Sequence, residues 1–119
     1  MSLEDISNME ELVCGDFRAI PSQNRIIVKG TEHVVQPKVM RLLLILCSEQ
    51  GKTLSKQQLI EAIWPNVVVS QESLANNVAR LRRVLGDNAK APTYLETVQG
   101  IGYRWIASTE HDQQQVTYS

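Results

Sequence analysis

The sequence predicts an α+β domain in which an antiparallel sheet comes first, three helices follow, and a β-hairpin closes the fold. Three observations support this order. Strand-like segments flank a turn before residue 37, three helix-like apolar patterns lie between residues 37 and 86, and two glycines separate strand-like segments near residue 100. The chain has 119 residues, of which 43% are hydrophobic, so these elements are expected to share one core.

The first sheet is predicted from three strand-like segments. They cover residues 11–20, 25–28 and 33–36. Pro21–Asn24 supplies the turn after the first segment, and Gly30–Thr31 supplies the turn before the last, because proline, asparagine and glycine favour tight reversals. A small antiparallel sheet is therefore expected at the start of the domain.

The first helix is predicted between Pro37 and Gly51. Proline suits the first turn of a helix, where its missing N–H costs nothing, and glycine marks the stop. Between them runs an apolar stripe of Met40, Leu43, Leu44 and Cys47. The helix is almost wholly apolar from Leu42 on, so it is expected to lie deep in the core.

The second helix is predicted to begin at a capping box. Ser55 and Gln58 have the spacing at which each side chain bonds the other residue's backbone N–H. Trp64 ends the helix, because Pro65 disfavours the helical conformation in the residue before it. The 65–69 loop that follows contains Val67 and Val68; we favour packing for both, with an interaction patch as the alternative.

The third helix is the element from which function is inferred. Ser70 is an expected N-cap and Gly86 an expected left-handed stop. An apolar stripe recurs at spacings of four, three and four: Leu74, Val78, Leu81 and Leu85.

The other face of this helix is polar and basic. Its members are Ser73, Asn76, Asn77, Arg80 and Arg83, with Arg82 toward the edge. No acid follows Glu72, whereas an ordinary solvated face mixes both signs of charge. Amide and guanidinium groups pair with base edges and phosphates, so the face suits DNA; a merely solvated basic face is the alternative.

The hairpin is predicted from residues 94–98 and 103–107. Gly100 and Gly102 lie between them and allow a tight reversal. The folded domain is thus expected to span residues 11–107, with residues 1–10 disordered or loosely ordered and residues 108–119 a flexible tail that leads to a linker.

Composition argues against several other classes of protein. The net charge is −1, but acids gather near the N terminus and Lys and Arg in the later part, so a local basic face is compatible with DNA binding. The two cysteines have no partner motif, which suits a reducing cytoplasm. The sequence has no Cys/His cluster with metal-ligand spacing, no nucleotide-binding loop, and no apolar run long enough to cross a bilayer. We therefore expect no catalysis, no cofactor, no metal and no membrane contact.

Three segments, taken together and in this order, resemble the OmpR/PhoB-type winged helix-turn-helix DNA-binding domain. They are Leu54–Trp64 (LSKQQLIEAIW), Leu74–Asp87 (LANNVARLRRVLGD) and Glu96–Trp105 (ETVQGIGYRW). The resemblance covers residues 12–106, and WPNVVVSQESL from Trp64 looks most like the CadC/ToxR-like branch. In that branch the domain is N-terminal, with no phospho-acceptor domain before it. The chain begins close to the first predicted strand, which agrees with an N-terminal domain.

The resemblance implies a third helix in the major groove of duplex DNA and a hairpin wing at the adjacent minor groove. By position it makes Asn76, Asn77, Arg80 and Arg82 candidate base or groove contacts, and Trp64, Ser73, Arg83 and Thr97 candidate backbone contacts. Gln99 stands where several members carry an arginine at the wing tip, so it is a candidate contact without a charge.

The expected function is sequence-specific binding of double-stranded DNA in a bacterial transcriptional regulator of the CadC/ToxR-like one-component type. The alternatives are the effector domain of a two-component response regulator and a winged-helix protein-interaction module. Further expectations are a cytoplasmic domain whose parent protein is anchored in the inner membrane, and a monomer that binds DNA as a head-to-tail pair. RNA polymerase is a candidate partner of the 65–69 loop.

Overall fold

The computed structural model describes residues 11–112; the predicted N-terminal segment 1–10 and residues 113–119 of the predicted tail 108–119 lie outside this range. Three helices form within it: α1 (Pro37–Ser48), α2 (Lys56–Ile63) and α3 (Gln71–Leu85). The strands are β1 (Glu11–Cys14), β2 (Phe17–Ile20), β3 (Arg25–Val28), β4 (Thr31–Val34), β5 (Thr53–Ser55), β6 (Leu95–Val98), β7 (Gly102–Trp105) and β8 (Glu110–Asp112). The α+β class and its order of elements are confirmed.

The N-terminal sheet is antiparallel with strand order β4-β3-β2-β1-β8. The predicted segment 11–20 is two strands, because the chain reverses at Gly15, which has a φ of +54°. The strand predicted at 33–36 lies instead at 31–34. Lys29 and Gly30 both have positive φ and form a two-residue hairpin turn, so pairing with β3 begins at once with Thr31.

The tail expected from residue 108 contains a strand. The backbone of β8 pairs antiparallel with β1, with His111 opposite Leu12. This corrects the expectation of a flexible tail for residues 110–112. The pairing uses backbone groups along the free edge of β1, which a polar sequence pattern does not reveal.

Both capped helices begin as predicted. Ser55 Oγ accepts from the Gln58 backbone N–H at 3.0 Å, and Gln58 Oε1 accepts from the Ser55 backbone N–H at 2.8 Å, which completes the capping box. Ser70 Oγ accepts from the Ser73 backbone N–H at 3.2 Å, and Gly86 ends α3 with a φ of +70°. α1 ends at Ser48, three residues before the predicted Gly51 stop.

The core lies between the N-terminal sheet, the helices and the hairpin. α1 buries eight of its twelve residues in it, as its apolar run predicted. An aromatic cluster joins the two sheets: the Phe17 ring lies 5.2 Å from Tyr94 and 6.1 Å from Trp105 between centroids, both edge to face. β2 and the C-terminal hairpin therefore belong to one packing unit.

Both cysteines are buried and free, which confirms the prediction for Cys47. Burial raises the pKa of the Cys14 thiol to about 11, and burial together with neighbouring Cys14 raises the pKa of Cys47 well above its ordinary value. Both side chains are therefore neutral thiols near pH 7, and act as small hydrophobic residues.

The C-terminal hairpin is part of a three-stranded sheet with order β5-β7-β6. β5, which ends at the capping-box residue Ser55, was not predicted. It pairs with β7, placing Ser55 opposite Gly102. Since β5 leads straight into α2, this pairing fixes the hairpin to the start of that helix. No helix within residues 11–112 is long and apolar enough to cross a bilayer.

Candidate nucleic-acid interface

The basic helix α3 is oriented as its periodicity predicted. Leu74, Val78, Leu81 and Leu85 are buried where α3 packs against α1 and α2. On the opposite side, Asn76, Arg80 and Arg83 are exposed. Within the described residues, Arg80 and Arg83 take part in no salt bridge, so both keep an uncompensated charge at the surface.

Asn77 does not belong to this exposed face, which corrects its predicted orientation. Its side chain is only 7% exposed, and its Nδ2 donates to the backbone oxygen of Ser73 at 3.0 Å. Asn77 directly precedes Val78 and therefore borders the buried stripe of α3. Its Oδ1 is buried and has no hydrogen-bond partner within residues 11–112.

Arg82 also forms hydrogen bonds within the protein. Its Nη2 donates at 2.9 Å to both the backbone oxygen of Leu95 and the Oγ1 of Thr97, and its guanidinium carbon lies 6.0 Å from the centroid of the Tyr103 ring. Two predicted contact residues, Arg82 and Thr97, are thus joined to each other. These bonds join α3 to the hairpin.

Arg80 is held in place by the connection between β4 and α1. Its Nη1 donates to Gln36 Oε1 at 2.8 Å, and a planar guanidinium has four further N–H donors. This bond limits the swing of a long side chain and leaves most of its donors for a partner. The sequence offered no signal for Gln36, because the two residues are 44 positions apart.

Trp64 and Ser73 lie beside Arg80, both half-buried. Trp64 ends α2, and two cations of α1 fix this end: Lys38 Nζ donates to the Ile63 backbone oxygen at 3.1 Å, and Arg41 Nε to that of Ala62 at 2.7 Å. Positive groups suit a helix C terminus, where carbonyl oxygens are left without N–H partners.

These residues enclose one polar cleft of about 260 Å³. Its lining consists of Gln36, Lys38, Trp64, Ser73, Asn76, Asn77 and Arg80. We call it the α1–α3 cleft. Five of the predicted site residues therefore meet in this cleft. Gln36 and Lys38 also line it, and neither of them was predicted from the sequence as a site residue.

The hairpin presents Gln99 and Ile101 at its exposed tip, and Gly100 turns there with a φ of +76°. Its base is ordered by Asp87, whose carboxylate accepts backbone N–H bonds from Thr93 at 2.7 Å and Leu95 at 2.9 Å. The tip itself carries no charge.

The nearby cation of the hairpin is already paired. Arg104 donates to Glu96 Oε1 from Nε at 2.9 Å and from Nη2 at 2.7 Å. Its guanidinium is therefore neutralised on the face of the sheet.

The 65–69 loop contradicts the favoured expectation of packing. Val67 is 57% exposed and Val68 is fully exposed, while only Val69 packs against the core. Beside them lies a cleft of about 480 Å³, which we call the loop cleft. It is lined by Gln57, Ile60, Glu61, Trp64, Pro65, Asn66, Val67 and Val68. Residues 11–112 hold no cluster of side chains suited to a metal ion.

Comparison with known proteins agrees with this geometry. Residues 30–105 match the family model described as "Transcriptional regulatory protein, C terminal". The chain is 30% identical over 91 residues to the transcriptional activator CadC of Escherichia coli K12, covering 76% of this chain and 18% of CadC. It is 27% identical over 95 residues to the Bacillus subtilis alkaline phosphatase synthesis regulator PhoP, covering 79% of this chain and 40% of PhoP.

Solved structures share the fold. The DNA-binding domain of E. coli CadC superposes with a TM-score of 0.77 at 22% identity, covering 87% of this chain and 97% of that one. The Klebsiella pneumoniae RstA DNA-binding domain, in complex with the RstA box, gives 0.69 at 21% identity, covering 82% and 97%. Since the family model spans more than half of the sequence, the chain belongs to the transcriptional regulatory protein C-terminal family, the OmpR/PhoB-type winged-helix domains.

Proposed function

We propose that this chain binds double-stranded DNA in a sequence-specific manner, with α3 in the major groove and the hairpin as a wing over the adjacent minor groove. The observation that carries the proposal is the exposed face of α3, where Asn76, Arg80 and Arg83 stand with no acid after Glu72. A helix of about 10–12 Å diameter fits a major groove about 12 Å wide.

Within this interface, Asn76 and Arg80 are the proposed base readers. An asparagine amide pairs with the exposed edge of adenine, and an arginine fork pairs with guanine. Arg83, Trp64 and Ser73 are assigned to the phosphate backbone, where they fix the position of the helix and carry no sequence information. The proposal gives the chain no reaction of its own.

The test is selection of preferred sites from randomised duplex DNA, followed by titration of Arg80→Ala on the selected site. Loss of a guanine contact should cost about 1–3 kcal/mol and relax the preference at one base pair. Arg83→Ala is the matched control, because loss of a phosphate contact weakens all sequences alike. Unchanged affinity and unchanged preference in Arg80→Ala would contradict the assignment.

A protein-interaction module is the rival from another class, in which the basic face of α3 would meet an acidic protein surface. DNA binding falls steeply with salt, by roughly one power of salt concentration per phosphate contacted. Titration of a labelled duplex over a range of salt, with unlabelled non-specific DNA as competitor, separates the two. A chain that shows no salt-dependent binding to any duplex would favour the interaction module.

For the parent protein we propose a CadC/ToxR-like one-component regulator, anchored in the inner membrane with this domain in the cytoplasm. The fold similarity to CadC and the sequence identity to it support this type. A response-regulator effector domain is the second candidate, supported by the similarity to PhoP. Sequencing the parent gene on both sides decides: a downstream membrane span supports the first, and an upstream phospho-acceptor domain supports the second.

RNA polymerase is the proposed partner of the 65–69 loop. Val67 and Val68 are exposed and apolar beside the loop cleft, and neither lines the α1–α3 cleft. Val68→Asp should then retain DNA affinity while losing activation in a reconstituted transcription assay. Equal activation by Val68→Asp and the parent chain would remove the loop from this role.

The free chain is proposed to be a monomer that binds DNA as two head-to-tail copies. Sedimentation at micromolar concentration should show one species without DNA, and a complex of two chains on a duplex carrying two selected sites. A stable dimer without DNA would contradict the proposal.

A further inference from the structure

We propose that the α1–α3 cleft is a subsite for a phosphate of the DNA backbone and that Lys38, on the first turn of α1, is a contact residue of the interface. This inference rests on the proposed DNA binding and extends the interface from α3 and the wing to a helix outside the helix-turn-helix pair.

The first reason is the charge of the cleft. Lys38 and Arg80 both line it, and no carboxylate does. Neither cation takes part in a salt bridge within the described residues. The N terminus of α1 opens at the same place, where the helix dipole adds partial positive charge. An anion is the ligand that this arrangement favours.

The second reason is a surplus of hydrogen-bond donors. Lys38 Nζ has three N–H donors and gives one to the Ile63 carbonyl, while Arg80 has five and gives one to Gln36. These intramolecular bonds hold both side chains at the cleft, and two donors of Lys38 remain available to a ligand. Phosphate oxygens are strong acceptors and carry the matching charge.

The third reason is Asn77, which forms part of the wall of the cleft. Its Oδ1 is buried and lacks a partner within residues 11–112. One water molecule donates two hydrogen bonds, so a water between this oxygen and a phosphate oxygen would satisfy both acceptors. A direct phosphate contact at Asn77 is not expected, because two acceptors do not bond each other.

The fourth reason is location. The proposed base readers Asn76 and Arg80 and the proposed backbone contacts Trp64 and Ser73 all line the cleft. α3 carries the proposed base readers, and Lys38 lines the same cleft beside them. The phosphate bound here should therefore be one that flanks the bases read by α3.

The test is the salt dependence of binding to a labelled duplex of mixed sequence, since phosphate contacts are independent of sequence. Lys38→Gln should lower affinity at low salt and make the slope of log K against log salt shallower by about 0.9, the value for one phosphate. Lys38→Arg should keep the parent slope. Lys52→Gln is the control for net charge, because it removes one positive charge beyond the opposite end of α1, where Lys52 pairs with Glu49 at 3.4 Å.

A purely structural role for Lys38, as a cap on α2, makes a different prediction. Loss of that cap would lower the melting temperature and reduce affinity with the slope unchanged, and this outcome would overturn the inference. An unchanged slope with unchanged affinity in Lys38→Gln would also overturn it. If the parent chain itself shows no salt-dependent binding, the proposed function fails before Lys38 is in question.

Lysine modification on the parent chain provides a second measurement that needs no variant. Saturating duplex DNA should protect Lys38 from acetylation, as read by mass spectrometry, while Lys52 stays reactive. Inorganic phosphate without DNA should leave Lys38 reactive, because one free ion lacks the neighbouring contacts of a duplex. Protection by phosphate alone would assign the cleft to a free anion, and equal reactivity of Lys38 with and without DNA would remove it from the interface.

Discussion

Arg82 of α3 and Thr97 of the wing are hydrogen-bonded directly, Nη2 to Oγ1 at 2.9 Å, and the same nitrogen reaches the backbone oxygen of Leu95. The two elements proposed to enter adjacent grooves of DNA are therefore joined by one guanidinium. An arginine fork can bridge two acceptors in fixed geometry, so this contact sets the position of the wing relative to α3.

The first prediction concerns this joint. Arg82→Met should lower the free energy of unfolding by about 1–2 kcal/mol, because it removes two hydrogen bonds from a charged, half-buried donor. DNA affinity should fall with the salt slope unchanged, since the residue positions the wing and does not contact phosphate. Thermal melts and salt titrations check both. A slope shallower by about one with an unchanged melting temperature would make Arg82 a direct phosphate contact.

The second prediction concerns Gly102, where β7 passes β5. A Cβ at this position would stand 1.9 Å from the backbone oxygen of Leu54, and backbone atoms cannot yield cheaply. Gly102→Ala should therefore destabilise the fold by at least about 1–3 kcal/mol, the usual cost of overpacking. Gly100→Asn is the control, because its Cβ meets open space and asparagine tolerates positive φ. Equal urea midpoints for the two variants would refute the clash.

The third prediction tests the rotation of α3. Leu81 is 0% exposed, so Leu81→Ala should cost about 2–5 kcal/mol through lost burial and the cavity left behind. Arg83→Ala, two residues along on the exposed face, should leave the urea midpoint nearly unchanged. Equal midpoints for Leu81→Ala and the parent chain would show that the helix is rotated differently.

The fourth prediction concerns Gln99 at the exposed wing tip. Arg104 is committed to Glu96, so the tip has no cation of its own for the minor groove. Gln99→Arg should tighten binding, steepen the salt slope by about one unit and favour sites with a narrow A·T-rich minor groove.

The matched variant is Gln99→Ala, which should weaken binding only slightly, by on the order of 1 kcal/mol, as for one neutral hydrogen bond. Titrations of both variants at several salt concentrations give the comparison. Loss of specific recognition in Gln99→Ala would move the main base reader from α3 to the wing.

Local chemistry determined most of the helical framework from the sequence alone. The capping box at Ser55, the N-cap at Ser70 and the left-handed stop at Gly86 each depend on residues within four positions of one another, so their spacing was sufficient. The apolar stripe of α3 likewise fixed its buried face, because helical geometry converts spacing directly into direction. Exposure of Asn76, Arg80 and Arg83 followed.

Tertiary structure decided which polar groups remain free for a partner. Arg82 is hydrogen-bonded to Thr97 of the hairpin, and Arg80 to Gln36 across 44 positions, so both depend on partners outside α3. Asn77 is buried although the helical pattern placed it on the polar face. Strand β5 and the α1–α3 cleft arise in the same way, from pairing and packing that no local pattern encodes. Periodicity alone predicts which face of α3 is exposed, because it is a local property. The packing of α1 and the hairpin against α3 sets which of its polar side chains are already bonded within the protein.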